Sequence, residues 1–127
     1  MVSGTGTLDI LNESFEGPWS GVPSAPGGWS QITVAGAAPW DQYNSSFYAY
    51  SGVNSARAPA SSSNSSSPSD HLLISPALDL TAGYYLKFWI DGSTSGSSSY
   101  YTNIEVQISS QNTDATTGWT DLARYIQ

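Results

Sequence analysis

The side chains able to do chemistry are few in this chain of 127 residues, which has one histidine and no cysteine. His71 directly follows Asp70, and serines are abundant, so the residue types of a Ser-His-Asp triad are present. Their spacing argues against one. Successive residues on a strand point to opposite faces, so Asp70 is badly placed to orient His71. No serine sits in a G-x-S-x-G elbow. A single histidine without cysteine also argues against zinc. Of the carboxylates, Asp9, Glu13 and Glu16 fall on or near one early segment, while Asp41, Asp91, Asp114 and Asp121 are scattered. Glycoside hydrolysis needs two carboxyl groups facing each other across a cleft, and nothing in the order of these residues indicates such a pair. The expectation is a protein that is not an enzyme.

The aromatic residues are more informative. Trp19, Trp40, Tyr43, Tyr48, Tyr100 and Tyr101 stand in or beside loops among Ser, Asn and Gln. Sugars present apolar faces that stack on flat rings, and neighbouring polar side chains bond their hydroxyls. The same rings suit packing over loops or contact with another subunit, since Tyr and Trp combine an apolar body with a polar tip. All three uses stay open from sequence. The candidate ligand-binding residues are Trp40, Tyr43, Tyr48, Tyr100 and Tyr101. Trp29, Phe88 and Trp119 read as core or sheet-face packing.

The elements that must position these residues read as strands. Leu86, Phe88 and Ile90 alternate with Tyr85, Lys87, Trp89 and Asp91, a period of two that marks a strand with one face on a core. Further strands are predicted over Leu8–Phe15, Trp29–Val34, Phe47–Tyr50, Ser55–Ala58, His71–Ser75, Tyr84–Asp91, Thr102–Ser109 and Trp119–Tyr125. The Pro- and Gly-rich stretch Gly17–Gly28 reads as a long ordered loop, Ala60–Ser69 as a Ser-rich mobile loop, and Ser93–Ser99 as a hairpin tip. No segment sustains a 3.6-residue apolar period. Many short strands separated by turn residues favour a sandwich or barrel.

Composition bounds the rest. One domain spans 1–127. Charged residues make up 10% of the chain against a usual share of about 25%, yet 5 Trp and 8 Tyr exclude a disordered composition. The net charge is −7, with Arg57, Lys87 and Arg124 the only cationic side chains. Nucleic acids and anionic membranes bind basic patches, so neither is an expected partner. A cation or neutral glycans suit the charge better. No run approaches the ~20 apolar residues of a membrane span, and Met1–Gly6 lacks the basic and apolar regions of a signal peptide.

Four motifs then fall in a recognisable order. They are Glu13-Ser-Phe-Glu-Gly17 with Pro26-Gly-Gly-Trp29, and Tyr50-Ser-Gly-Val-Asn-Ser-Ala-Arg57. Asp70-His-Leu-Leu-Ile-Ser-Pro-Ala-Leu-Asp-Leu80 follows, with Leu86-Lys-Phe-Trp89. Ile104-Glu-Val-Gln-Ile-Ser109 comes last, with Gly118-Trp-Thr-Asp-Leu122. Together they resemble the cleaved adhesin, or choice-of-anchor J, family, which is related to MAM domains. The resemblance covers nearly the whole chain and implies an all-β, antiparallel jelly-roll β-sandwich. It further implies a non-catalytic, extracellular adhesion or carbohydrate-binding module of a secreted or surface bacterial protein, with glycans or host and cell-surface proteins as partners. It also implies a structural calcium beside the first strand. Glu16 matches the second acid of the family's F-E motif, Asp41 is placed like its acidic loop residue, and the turn at Ser51-Gly52 would add a carbonyl oxygen.

The family's pattern continues with closing strands, one carrying a further acid, where this sequence ends at Gln127. The expectation is a jelly roll without its C-terminal strands, as a shortened variant, a fragment or a fold completed by a neighbouring chain. An unpaired edge recruits strands. The alternative function is therefore a structural subunit of an extracellular filament or surface layer, assembled by strand exchange among copies of itself.

Overall fold

The computed structural model describes residues 11–36, 39–58, 70–79, 86–91, 103–110 and 117–126. Within them the protein is all-β and antiparallel, with no helix. Six strands form three two-stranded sheets. Strand β1 (Ser30–Ala35) pairs with β4 (Asp70–Ile74), β2 (Asp41–Asn44) with β3 (Asn54–Arg57), and β5 (Asn103–Ile108) with β6 (Thr120–Ile126). Five of the predicted strands are thus present with each end moved by one residue, and Asp41–Asn44 is an addition.

The β1–β4 pair carries one of the two buried aliphatic residues among those described, Ile74, opposite Ser30. Beside it, the buried residue of β1 is Gln31. Its amide Nε2 donates to the carbonyls of Ser24 and Trp40, the latter at 2.8 Å, so one side chain ties the Gly17–Gly28 loop to the entry of β2. That loop folds back on itself. Ser20 and Ala25 exchange two backbone hydrogen bonds of 2.9 Å across a turn holding Gly21 and a cis Val22–Pro23 bond, and Ala25 is buried. Phe15, Trp19 and Trp29 gather nearby, with ring centroids 6.2 Å (Phe15–Trp19) and 5.7 Å (Phe15–Trp29) apart. The edge-on Phe15–Trp29 pair is of a kind that adds about 0.5–1.5 kcal/mol beyond the area it buries.

Three predicted strands differ. Leu8–Ile10 lie outside the described residues, and 11–15 are not a strand. Phe15 has φ 62, and its N–H donates to Glu13 Oε1 at 2.6 Å. A local side-chain acceptor has captured a backbone donor that a sheet ladder would need. Phe47–Tyr50 is a turn, because the N–H groups of Tyr48 and Ala49 both donate to the Ser45 carbonyl, at 3.1 and 3.2 Å. Tyr84 and Tyr85 lie outside the described residues, and 86–91 pairs with no strand among them. Leu86, Phe88, Trp89 and Ile90 are all exposed. Alternation is a local property, whereas a ladder needs a partner at the right register. The segments 60–69 and 93–99, predicted as loop and hairpin tip, also lie outside the described residues. No helix among the described residues is long and apolar enough to cross a membrane.

Candidate functional site

The β2–β3 hairpin has two chemically different faces. Its register pairs Asp41 with Arg57, Gln42 with Ala56, Tyr43 with Ser55 and Asn44 with Asn54. Alternation then puts Asp41, Tyr43, Ser55 and Arg57 on one face, and Gln42, Asn44, Asn54 and Ala56 on the other.

The amide-bearing face receives the segment around Glu16. Glu16 Oε1 accepts the backbone N–H groups of Val53 and Asn54, at 2.9 and 2.8 Å. Glu16 Oε2 accepts Asn54 Nδ2 at 3.1 Å, and Asn54 Oδ1 in turn accepts Asn44 Nδ2 at 2.8 Å. Gln42 Nε2 donates to the carbonyls on either side of Glu16, at 2.7 Å to Phe15 and 2.8 Å to Gly17. Two carbonyl acceptors fix which end of the Gln42 amide faces them, since only the NH₂ end can donate. Gly52 completes the clamp. It adopts φ +72, and a Cβ there would run into the Glu16 carboxylate.

The opposite face carries rings and one ion pair. Arg57 grips Asp41 with two bonds, Nε to Oδ1 at 2.9 Å and Nη2 to Oδ2 at 2.6 Å. The same guanidinium lies 4.0 Å from the centroid of the Tyr43 ring. The hydrogen bonds that Arg57 donates to Asp41 raise the arginine's pKa, assisted by the charges of Asp41 and Tyr43 and opposed by slight desolvation. Tyr43 packs at 5.9 Å against Tyr48, which meets Phe47 edge-on at 4.9 Å. Phe47 is 82% exposed. Phe47 and Tyr48 stand on the connection between β2 and β3, closed at its base by the Ser45 N–H donating to the Val53 carbonyl at 2.7 Å.

Of the predicted ligand-binding residues, Tyr43 and Tyr48 are brought together. Tyr100 and Tyr101 lie outside the described residues. Trp40 is half-buried, and its indole N–H donates to the His71 carbonyl at 3.0 Å. It pins β4 to the entry of β2. The sequence places Phe47 in a strand and marks neither its role in the ring group nor the Arg57–Tyr43 contact. The run Asn44-Ser45-Ser46 was the available turn signal for Phe47.

Glu16 and Asp41, the two acids matched to the calcium site, are not brought together. They belong to opposite faces of the hairpin, and Asp41 is three residues along β2 from Asn44, about 10 Å in a strand. Calcium draws its oxygens to within about 2.6 Å. Both Glu16 oxygens and both carbonyls beside it instead meet N–H donors. Among the described residues no group of three or more His, Asp or Glu side chains gathers as a metal cluster would.

His71 has one ring nitrogen near a partner, while its Nε2 is buried without one. The residue is paired with Thr33 across the β1–β4 ladder, with Nδ1 3.3 Å from Thr33 Oγ1. Compared with known protein families, with curated proteins and with solved structures, the chain matches none.

Proposed function

We propose that this chain is a non-catalytic extracellular adhesion or carbohydrate-binding module of a secreted or surface bacterial protein, built as a jelly-roll β-sandwich. The observation that carries the reading is the ring group Phe47–Tyr48–Tyr43 on the outer face of the β2–β3 hairpin. Its base is held by hydrogen bonds on the inner face. Rigid, exposed rings fixed before binding lose little freedom when a ligand stacks on them. Asp41 and Arg57 neutralise each other beside them, so the patch suits an uncharged saccharide. The four ordered motifs support the same class of function by resemblance.

The test is a glycan array followed by calorimetry on Phe47→Ala and Tyr48→Ala. Each ring's removal is expected to weaken the best glycan at least about tenfold, the size of a binding hot spot, with an unchanged melting temperature. Undiminished binding by the double variant would remove these rings from the site.

A second reading, a subunit of a filament or surface layer assembled from copies of the chain, is favoured by a different observation. Leu86, Phe88, Trp89 and Ile90 are exposed, together with Leu122 and Tyr125 on β6. Large apolar groups left in water are typical of surfaces that another molecule covers.

A further inference from the structure

We propose that the clamp between Glu16 and the β2–β3 hairpin is a cation-independent lock. It does with N–H donors what the family resemblance assigns to calcium, and Glu16 is thereby the positioning residue of the aromatic rim.

The donor chemistry carries this. A calcium site offers six to eight oxygens converging on one point. Around Glu16 the oxygens are present, but each faces a hydrogen rather than a shared centre. The Phe15 and Gly17 carbonyls take both hydrogens of the Gln42 amide. The Glu16 carboxylate takes two backbone N–H groups and the Asn54 amide. Successive backbone N–H groups next to a left-handed glycine form a concavity that holds a negative charge without a counter-cation. Val53 and Asn54, following Gly52 at φ +72, have that arrangement. The charge of Glu16 is therefore met by protein dipoles, and the donors fill the directions from which a cation would approach.

The lock reaches the rim through one residue. Val53 gives its N–H to Glu16 and its carbonyl to the N–H of Ser45. Those two bonds set both ends of the connection that carries Phe47, Tyr48 and Tyr50. The consequence for ligand binding rests on the glycan-binding reading; the lock and its indifference to calcium do not.

The experiment is amide hydrogen exchange and thermal unfolding of the wild-type chain, in chelator and in millimolar calcium, alongside Glu16→Ala and Gln42→Ala. The wild type is expected to give the same melting temperature and the same protection at Val53 and Asn54 in both conditions. Glu16→Ala is expected to speed exchange at those two amides at least about tenfold, because each loses a bond to a charged acceptor. Gln42→Ala, which keeps the carboxylate, is expected to loosen the clamp without creating a calcium response. A calcium-dependent rise in melting temperature or protection in the wild type would overturn the proposal. So would unchanged exchange at Val53 and Asn54 in a folded Glu16→Ala protein. Because the readout is exchange and not glycan affinity, failure of the lock and failure of the glycan reading remain separable.

Discussion

Gly52 shows how much of the clamp depends on single atoms. Its φ of +72 is a conformation that side chains other than glycine's rarely adopt, and the Glu16 carboxylate occupies the space of a Cβ. Gly52→Ala therefore meets backbone strain and a steric conflict together, and is expected to cost about 1–3 kcal/mol in urea unfolding. The equivalent change at Gly17, where a Cβ would meet nothing, is expected to be mild. Arg57 provides a contrasting case. Its pKa is raised by Asp41, so the folded value exceeds the unfolded one. What the protonation of Arg57 contributes is fully present below the unfolded arginine value and is lost only as pH rises through the raised one. No change in stability from this group is expected on titration between pH ~6 and ~9, well below arginine's range. Sequence marked Glu16 as important through its motif, and the structure gives it an unusual set of partners. It also paired Glu16 with Asp41, which stands on the opposite face of the hairpin, because residue type reveals a possible ligand but not which face presents it.

At the scale of elements, polar cross-strand pairs decorate the β5–β6 hairpin. Glu105 faces Arg124 across the ladder with an ion pair of 2.6 Å, and Gln107 Nε2 donates to Asp121 Oδ1 at 2.8 Å. Arg124 and its partners are substantially solvated. Arg124→Ala is thus expected to cost under about 1 kcal/mol, and less at high salt. A register shift between Val106 and Gln107 leaves Leu122 as the extra residue on β6, 60% exposed. The strands themselves were legible because β-branched and aromatic residues between turn residues announce them. The Thr102–Ser109 and Trp119–Tyr125 predictions lie within a residue of β5 and β6. What local pattern did not reveal was pairing. Leu86–Ile90 alternates as well as any strand here and yet pairs with none of the described strands. Phe47–Tyr50 has strand composition and yet turns on the Ser45 carbonyl. Gln31 illustrates the same gap in the core: it is buried for the carbonyls it bonds, which no hydropathy pattern marks.

For the whole molecule, the balance between buried and exposed apolar groups separates the two proposed functions. Among the described residues the buried aliphatic positions are Ala25 and Ile74, while Leu86 is 63% exposed and Phe88, Trp89, Ile90, Leu122 and Tyr125 are exposed with it. Phe88 meets Tyr125 edge-on at 5.6 Å, and Trp89 stacks on Tyr50 at 4.2 Å. The exposed segment is thus joined to β6 on one side and to the aromatic rim on the other. A chain of net charge −7 repels its copies, and that repulsion is screened over about 10 Å at 0.1 M salt. Burial of apolar surface is not weakened by salt in this way. If these groups meet those of a second copy, association should grow with both protein concentration and ionic strength, and Leu86→Lys or Leu122→Lys should suppress it. Light scattering across a salt series decides the matter. A mass that stays monomeric at high salt and high concentration would leave the segment as a surface for a different partner and favour the glycan-binding reading. A salt-promoted rise in mass that the lysine variants abolish would place the assembly contact on this face. Retained binding of Phe47 and Tyr48 to glycans in those variants would then show that one molecule uses two separate surfaces.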